Sequence, residues 1–568
     1  MRAVYTAAVT LGGEGRNLAA VTFAYAVLTF VMALPFSWSP GTLILGDVPD
    51  AHMYMWTLAW DAYAFLHQPL QIFDANIYAP YPNTLAYSEN LIGSALFSSP
   101  IIWLTGNIVL GVNLAALLSC VLCGVGAYLL ARKLQIGVGG AFICGLIFAF
   151  APPRFVRMGQ LHMTAMQWIP FSLAFLHSYF EGGRRRDLLF AIGFFSLQAL
   201  ASGHGATYLL LTTLALIAWQ LMFGAPLALR QRLRDFGVAG AYLIAPAVWV
   251  ILPYRFAQSE AGLRRGYLSN ALPTFESFLA SPSWFHQYLQ ERFWGPFAQE
   301  ADAYLFPGIL VIVLAAIAVV SWPARPSFAK ASEGKRRMRD NYVAFYALVA
   351  IMATAMFVSW PLDLWERVHW LPGLNFIRIP SRFIILTMLA LSVLAGFGID
   401  RLRVLLSKST GAAATAVIAA LLLIEYSTYP FFGVPFAIDP PAIDRWLDTQ
   451  PKPFTIAEVP APSATDFGEL ERHQTRSMLH ATAHWQKTIH GYSSLRRPLH
   501  DRLNSELPKF PDATSVASLR EVGVTYVVVH TENYGDRWHT VEQEITKTGA
   551  FKLERVEGSG RVYSLLPP

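Results

Sequence analysis

The feature that most constrains the fold of this chain is a series of apolar segments, each long enough to cross a lipid bilayer. A transmembrane helix needs about 20 predominantly apolar residues, and such segments recur between residues 17 and 430. Of the 568 residues, 54% are hydrophobic and 14% are charged, whereas soluble domains carry about 25% charged residues. The sequence therefore predicts a polytopic α-helical membrane protein.

We predict about eleven transmembrane helices from the length of these segments. They are 17–36, 107–131, 138–151, 163–180, 187–202, 206–222, 237–254, 305–322, 342–360, 381–399 and 412–430. A further apolar segment, 91–105, is short and is interrupted by Pro100. We therefore expect it to lie in the membrane interface or to re-enter the membrane.

The basic residues predict the orientation of the chain, because short cytoplasmic loops carry an excess of Lys and Arg. If segment 91–105 does not cross the membrane, all the basic clusters fall on the cytoplasmic side. These clusters are Arg132 and Lys133, Arg184 to Arg186, and the residues from Arg325 to Arg339. We therefore predict an inner-membrane protein with a cytoplasmic N-terminus and an external C-terminus. The net charge of +6 is explained by these basic cytoplasmic loops. We therefore do not predict nucleic-acid binding from it.

The composition changes after about residue 430, where the long apolar segments end and charged residues become frequent. FTIAEVP, VTYVVVH and RVYSLL have the pattern of strands, and SVASLREVG that of a helix. We predict a transmembrane domain at 1–430, with the first external loop at 37–106, and a small extracytoplasmic α/β domain at 431–568.

The first external loop is acidic, and no Lys or Arg lies between Arg16 and Arg132. Within this loop, Asp47 and Asp50 come just before the aromatic, amphipathic segment MYMWTLAWDAYAFL. A carboxylate at the start of an interfacial helix is placed to act as a general base towards a hydroxyl group. The same residues are also good helix caps, and one aspartate can serve both purposes.

The same loop contains FDANIYAPYPNTLAYSEN, which is rich in Asn, Tyr and Pro. Aromatic rings stack on sugar faces, and amides and carboxylates bind hydroxyl groups, but such loops are equally suited to fixing turns. The candidate substrate-binding residues are Asp74, Asn76, Tyr81, Asn83 and Glu89.

Arginine residues in the predicted external segments need an explanation, because the topology disfavours cations there. Guanidinium groups bind phosphate in a bidentate manner; contact with lipid headgroups or pairing with nearby acids is the structural alternative. Arg255, Arg378 and Arg382 are the candidates for phosphate binding.

Histidine residues form a second set of polar candidates. His162 and His204, near the ends of predicted helices, are suited to binding a substrate or to structural hydrogen bonds. His480 and His484 have the i, i+4 spacing of helical metal ligands, with His490 nearby. No third ligand accompanies them in a recognised motif, and we predict no metal site from this spacing.

Five segments resemble the GT-C superfamily of integral-membrane glycosyltransferases. These segments are GDVPDAHMYMWTLAW, FDANIYAPYPNTLAYSENLIGSALFSSP, MGQLHMTAMQWIPFSLAFLH, LFPGI and NFIRIPSRFIILTMLALSVLAGFGID. The resemblance extends to about residue 430. The later segments are similar to those of bacterial members that end in an extracytoplasmic α/β domain. It implies a membrane enzyme that uses a polyprenyl-phosphate-linked sugar as donor.

The resemblance also implies a reaction. A hexosyl or pentosyl group is transferred with inversion to a hydroxyl of a glycan, lipid or protein acceptor, in the synthesis of cell-envelope polysaccharide or related glycans. Asp47 is then the first candidate for the base and Asp50 the second, while Arg255, Arg378 or Arg382 stabilises the leaving phosphate. Some members need a divalent metal such as Mg²⁺ or Mn²⁺, for which Asp47, Glu89 and His162 are the candidate ligands.

A non-catalytic transporter or assembly scaffold for lipid-linked glycans is the alternative class. A transporter depends on polar residues within its membrane-spanning helices. The predicted spans of this chain contain few acidic residues, so we favour the enzyme.

Overall fold

The computed structural model describes most of the chain. The described residues are 2–46, 48–223, 229–261, 273–295, 301–321, 330–359, 361, 363–371, 373–375, 377–493, 495 and 497–567. Contacts between residues divide the chain into two compact units. Unit 1 comprises Met1–Pro40, Leu114–Ala247 and Arg264–Gly433, and unit 2 comprises Gly41–Asn113, Val248–Leu263 and Val434–Pro568.

Helices account for most of the described residues. The α-helices are α1 Arg2–Met32, α2 Val48–His67, α3 Ile92–Thr105, α4 Ile108–Lys133, α5 Val138–Phe150, α6 Pro152–Phe155, α7 Leu161–Thr164, α8 Trp168–Gly182, α9 Arg185–Ala201, α10 Gly203–Phe223, α11 Leu229–Ala261, α12 Trp284–Phe293, α13 Ile309–Val320, α14 Lys330–Ala355, α15 Leu364–Val368, α16 Ile384–Val404, α17 Lys408–Tyr426, α18 Ala442–Asp448, α19 Phe467–His480, α20 Pro498–Glu506, α21 Ala513–Glu521 and α22 Trp538–Thr548. The strands are β1 Leu43–Ile44, β2 Val434–Pro435, β3 Thr455–Val459, β4 Lys487–Thr488, β5 Tyr526–His530, β6 Phe551–Glu557 and β7 Gly560–Leu565.

The chain is a multi-pass membrane protein, and every predicted span overlaps a helix. Within the described ranges, five helices are long and apolar enough to cross a membrane: Gly15–Met32, Ile108–Lys133, Gly203–Phe223, Pro380–Val404 and Ser409–Tyr426. Two helix pairs, bent by 41° and 52°, meet the same criterion if each pair is one span. The predicted fold class is therefore confirmed, whereas the number of eleven spans stays a prediction.

Segment 91–105 forms the 14-residue helix α3, with Pro100 inside it. At 1.5 Å per residue this helix extends about 21 Å, which is less than the roughly 30 Å of a hydrocarbon core. Its length agrees with the expectation that it does not cross the membrane. The orientation that depends on it stays a prediction.

Helix α16 lies at the centre of unit 1, where it packs against α5, α13 and α14. Glycines permit these close contacts. A Cβ atom on Gly398 would collide with the carbonyl oxygen of Leu314, and one on Gly140 with the carbonyl oxygen of Gly396. Small residues at such crossings let helix backbones approach closely, which is how membrane helices associate without a hydrophobic driving force.

The buried Glu425 of α17 satisfies the first turn of α13. Its carboxylate accepts hydrogen bonds from the backbone N–H groups of Ile309 and Leu310, the latter at 3.2 Å, and lies 3.0 Å from His286 Nε2. The first N–H groups of a helix have no partner within the helix. Glu425 therefore supplies the acceptor that two of these N–H groups lack within α13.

We expect Glu425→Ala to destabilise the protein by about 2–3 kcal/mol, because hydrogen bonds to a buried charged acceptor are lost. The measurement is unfolding of the detergent-solubilised chain, and Glu425→Gln, which keeps an acceptor oxygen, should lose less. Glu366→Ala, at an exposed carboxylate, is the matched control. Equal stability of Glu425→Ala and Glu366→Ala would show that the carboxylate does not hold α13.

Unit 2 contains a five-stranded mixed sheet in the order β4-β3-β5-β7-β6. Strand β3 pairs in parallel with β4 and β5, and β7 pairs antiparallel with β5 and β6. The predicted strands correspond to β3, β5 and β7, and the predicted helix to α21, so the small α/β domain is confirmed. Both faces of the sheet are buried, since Val527 and Val529 belong to one apolar cluster and Val528 to another.

The first external loop, from Gly41 onward, is part of the same unit. Ala79 N–H donates to the carbonyl of Thr488 at 3.0 Å, and Thr488 N–H donates to the carbonyl of Asn76 at 2.8 Å. These bonds extend the sheet beyond β4, and Ala79 lies in the apolar core of the sheet. Helix α2 packs against α19. The division of the chain at residue 430 stays a prediction about the membrane boundary.

Candidate functional site

Asp50 lies in the first turn of α2 and is half-buried. Its Oδ1 atom accepts a hydrogen bond of 3.1 Å from the hydroxyl of Tyr492. A carboxylate in the first turn is stabilised by the positive end of the helix dipole. Asp47, the first candidate for the base, lies outside the described residues.

Tyr492 also lines a small cleft in unit 2. The other residues around this cleft are Tyr78, Leu470, Glu471, Gln474, Gly491, Ser493, His500 and Asn504. Hydroxyl, amide and imidazole groups of this kind bind sugars or ordered water. Tyr492 therefore links Asp50 to a polar cleft. The sequence analysis did not select the residues that line this cleft.

Asp61 is a third acidic residue of the loop, and it is fully buried in α2. Neither carboxylate oxygen has a hydrogen-bond partner among the described residues. Burial raises its pKa well above the ordinary value. Burial therefore disfavours the ionised form that a general base needs, and Asp47 and Asp50 stay the candidate bases.

Two of the predicted sugar-binding residues contact the end of β4. Asp74 forms an ion pair of 3.0 Å with Lys487, and both side chains are partly exposed. The side-chain amide of Asn76 donates to the carbonyl of Gln486 at 3.3 Å. These contacts hold the first loop to the sheet, and sugar binding by these residues stays a prediction.

The other three first-loop candidates also have local contacts or a special backbone. The guanidinium of Arg497 lies 3.9 Å from the centre of the Tyr81 ring, within the range of a cation–π interaction. Asn83 has a left-handed backbone with φ of 54° before a short 3₁₀ turn, a conformation that Asn tolerates well. Glu89 is half-buried. A role in substrate binding stays a prediction for all three.

Unit 1 contains a cluster of charged residues built from Arg157, Asp302, Arg382 and His162. Arg157 is fully buried and donates to Asp302 Oδ1. Arg382 contacts both oxygens of the same carboxylate, with Nε–Oδ1 at 3.2 Å and Nη2–Oδ2 at 3.4 Å. Its Nη1 atom donates to His162 Nε2 at 3.5 Å. The carboxylate thus orients the Arg382 guanidinium.

The electrostatics of this cluster favour an ionised Asp302. Burial raises the pKa of Asp302, but the charges of Arg157 and Arg382 outweigh it and lower the pKa to about 2. Two guanidinium groups and one carboxylate give these three residues a summed charge of +1. The local field therefore favours a further anion.

The remaining predicted residues differ in their surroundings. His204 is buried, and its ring lies 5.4 Å from that of His162 in unit 1. Arg378 is half-buried in the segment before α16, and Arg255 is exposed on α11. The structure thus brings together His162, His204 and Arg382 from the predicted set.

Asp302 is a residue that the sequence analysis missed. It lies 145 residues from Arg157 and 80 residues from Arg382 along the chain. No local motif marks it, and one acid among several in its segment carries no signal by itself. The sequence does show an excess of arginine in the predicted external segments. That excess is the signal that indicates an acidic partner such as Asp302.

The C-terminal histidines are not arranged in space as their spacing in the sequence suggests. Helix α19 ends at His480, so His484 does not continue the helical face on which an i, i+4 pair depends. His480 Nδ1 lies instead 2.9 Å from Glu458 Oε2, and His530 Nε2 lies 2.8 Å from the same oxygen. His490 Nε2 accepts the backbone N–H of Glu458 at 2.7 Å.

Comparisons with known proteins give structural neighbours alone. No protein-family model matches the chain, and no curated protein matches it. One similar solved structure is the oligosaccharyltransferase AglB from Archaeoglobus fulgidus, in complex with an inhibitory peptide and a dolichol-phosphate. Its TM-score is 0.49 at 12% identity, covering 97% of this chain and 74% of that chain.

A second is ArnT from Cupriavidus metallidurans bound to undecaprenyl phosphate, with a TM-score of 0.44 at 14% identity, covering 98% of this chain and 99% of that chain. AglB and ArnT belong to the GT-C superfamily that the sequence motifs resemble. All these TM-scores are below 0.5, so the likeness assigns neither a substrate nor site residues to this chain.

Proposed function

We propose that this chain is a glycosyltransferase of the cytoplasmic membrane. It moves a hexosyl or pentosyl group from a polyprenyl-phosphate donor to a hydroxyl of a glycan, lipid or protein acceptor on the outer face. The observation that carries the proposal is the acidic, cation-free first loop, whose helix α2 presents Asp50 in its first turn. The resemblance of the sequence motifs to GT-C enzymes supports the same reaction.

A first-loop aspartate acts as the base in this proposal, with Asp47 first and Asp50 second. The carboxylate accepts the proton of the acceptor hydroxyl while the oxygen attacks the anomeric carbon. The bond to the phosphate oxygen breaks on the opposite face, so the configuration inverts and polyprenyl phosphate leaves. For Asp50, the hydrogen bond from Tyr492 orients the carboxylate.

Arginines stabilise the leaving phosphate, and Arg382 is the best supported of the predicted three. Asp302 holds its guanidinium in a fixed orientation, which reduces the entropy lost on binding a ligand. The summed charge of +1 on Arg157, Asp302 and Arg382 favours an added anion. Arg378 and Arg255 stay predictions for the same role.

The divalent ion and the orientation of the chain are further parts of the proposal. Asp47, Glu89 and His162 offer oxygen and imidazole ligands, which suit Mn²⁺ and, for the oxygens, Mg²⁺. When bound, such an ion neutralises charge on the phosphate.

The N-terminus lies in the cytoplasm and the α/β domain outside, as the basic loops indicate.

The test is turnover of the purified full-length chain in detergent with short-chain polyprenyl-phosphate sugars. A panel of donors is offered together with glycan, lipid and peptide acceptors, in the presence and absence of Mg²⁺ or Mn²⁺. We expect release of polyprenyl phosphate with at least one donor. Tight donor binding without release under any condition would indicate the transporter or scaffold instead.

A further inference from the structure

A cluster of ionisable side chains lies on one face of the mixed sheet in unit 2, among residues that the proposed transfer reaction does not use. Glu458 is in β3 and His530 ends the neighbouring parallel strand β5. Glu458 pairs with Val528, so His530, two residues further on, points to the same face as Val528. His480 reaches this face from the end of α19.

We propose that Glu458, His480 and His530 bind a divalent transition-metal ion, preferentially Zn²⁺, and that Asp444 completes the ligand set. One ligand atom from each of the first three residues lies within 4.8 Å of the others. Two imidazoles and carboxylate oxygens are a common ligand set for Zn²⁺. The two carboxylates balance the charge of the ion.

Asp444 provides an independent observation. It lies in α18 with its side chain fully buried, and neither of its oxygens has a hydrogen-bond partner among the described residues. Glu458 Oε1 is likewise buried without a partner there. Asp444 interacts electrostatically with Glu458, His480 and His530, so it lies near the same cluster. Buried carboxylate oxygens without partners are costly, and a bound cation satisfies them.

The distances among Glu458, His480 and His530 are compatible with an ion after a small adjustment. His480 Nδ1 and His530 Nε2 lie 2.9 and 2.8 Å from Glu458 Oε2, as expected when protons are shared. Tetrahedral zinc with bonds of about 2.0–2.1 Å separates its ligand atoms by about 3.3 Å. Rotations that open these contacts by about 0.5 Å admit the ion, which replaces the shared protons.

The surroundings of the cluster support both entry and orientation of the ligands. The side chains of His480 and His530 are 14% and 12% exposed, so an ion can reach them from solvent. His530 Nδ1 lies 3.9 Å from Glu532 Oε1, which is close enough for an ion pair but longer than the hydrogen bond by which outer carboxylates orient metal-bound histidines. The N–H of Glu458 is held by His490, which fixes the backbone beside the cluster.

The alternative is a hydrogen-bonded network in which protonated histidines neutralise Glu458. Both arrangements use the same residues, but only the metal site binds zinc stoichiometrically. The proposal is also independent of the transferase reaction, because metal binding is measured directly.

The experiment titrates Zn²⁺ into the full-length chain, purified in detergent without a histidine tag and stripped with EDTA. We expect one tightly bound zinc per chain by calorimetry and elemental analysis. His530→Gln and Glu458→Gln should each weaken binding by at least about 100-fold. In the wild type, Co²⁺ should give the visible absorption of a tetrahedral site, and this absorption should be lost in both variants.

Two matched controls localise the site. His539→Gln removes an exposed histidine of the same domain, and His484→Gln removes the partner that an i, i+4 spacing predicts; neither should weaken binding as His530→Gln does. Melting in EDTA shows whether each variant is folded. Zinc binding that is no tighter in the wild type than in folded His530→Gln, or that is lost equally in His484→Gln, would overturn the proposal.

Discussion

Asp47→Asn is expected to reduce release of polyprenyl phosphate by about 10²–10⁴-fold, the usual contribution of a general base. An amide has nearly the shape of the carboxylate and still accepts hydrogen bonds, but it cannot take the proton of the acceptor hydroxyl. Asp50→Asn is expected to have the smaller effect if Asp47 is the base. The measurement is the initial rate of release with saturating donor and acceptor.

These variants also separate catalysis from helix capping. Asn and Asp are nearly equal as caps, so the stability of either variant should stay within about 0.5 kcal/mol of the wild type. Asp536→Asn, at an exposed carboxylate of the C-terminal domain, is the matched control and should keep full activity. Full activity in folded Asp47→Asn and Asp50→Asn would refute the assignment of the base to this loop.

Asp302→Ala is expected to destabilise the protein by about 3–5 kcal/mol, because removing one partner of a buried ion pair leaves an uncompensated charge. Arg157 is fully buried, so its guanidinium cannot turn to water when the carboxylate is lost. The measurement is chemical unfolding of the detergent-solubilised chain. Asp536→Ala is the matched control, and an equal effect of the two changes would contradict the role of Asp302.

The same residue predicts a dependence of stability on pH. The pKa of Asp302 in the folded protein, about 2, lies below the ordinary value of 3.8, so the folded state binds this proton more weakly than the unfolded state. Its contribution is fully present above about pH 4 and is lost as the pH falls towards 2. Asp302→Asn should show a smaller loss of stability than the wild type between pH 5 and pH 2.

The charged cluster in unit 1 and the ionisable cluster in unit 2 illustrate two uses of buried charge. Around Asp302, opposite charges satisfy one another, and the pKa of the carboxylate falls. In α18, burial and the nearby Glu458 together raise the pKa of Asp444 to about 7. A cation at that position would satisfy both carboxylates, whereas the first cluster has cations of its own and favours an anion.

The sequence by itself determined the membrane-spanning character of the chain and its α/β domain. Both follow from local patterns, since apolar length defines a membrane helix and alternation defines a strand. β3, β5, β7 and α21 correspond to segments that were predicted from such patterns. Strand β6 was not predicted, because five of its seven residues are exposed and it lacks a buried alternating face.

The composition of the candidate sites was decided by the tertiary structure more than by local sequence patterns. His480 and His530 both contact Glu458, and Arg382 contacts Asp302, although the residues of each pair lie 22 or more positions apart in the sequence. Spacing along the chain predicts neighbours only within one helix or strand. Which distant residues meet is decided by how the elements pack, and the sequence records that packing only through the summed preferences of many buried residues.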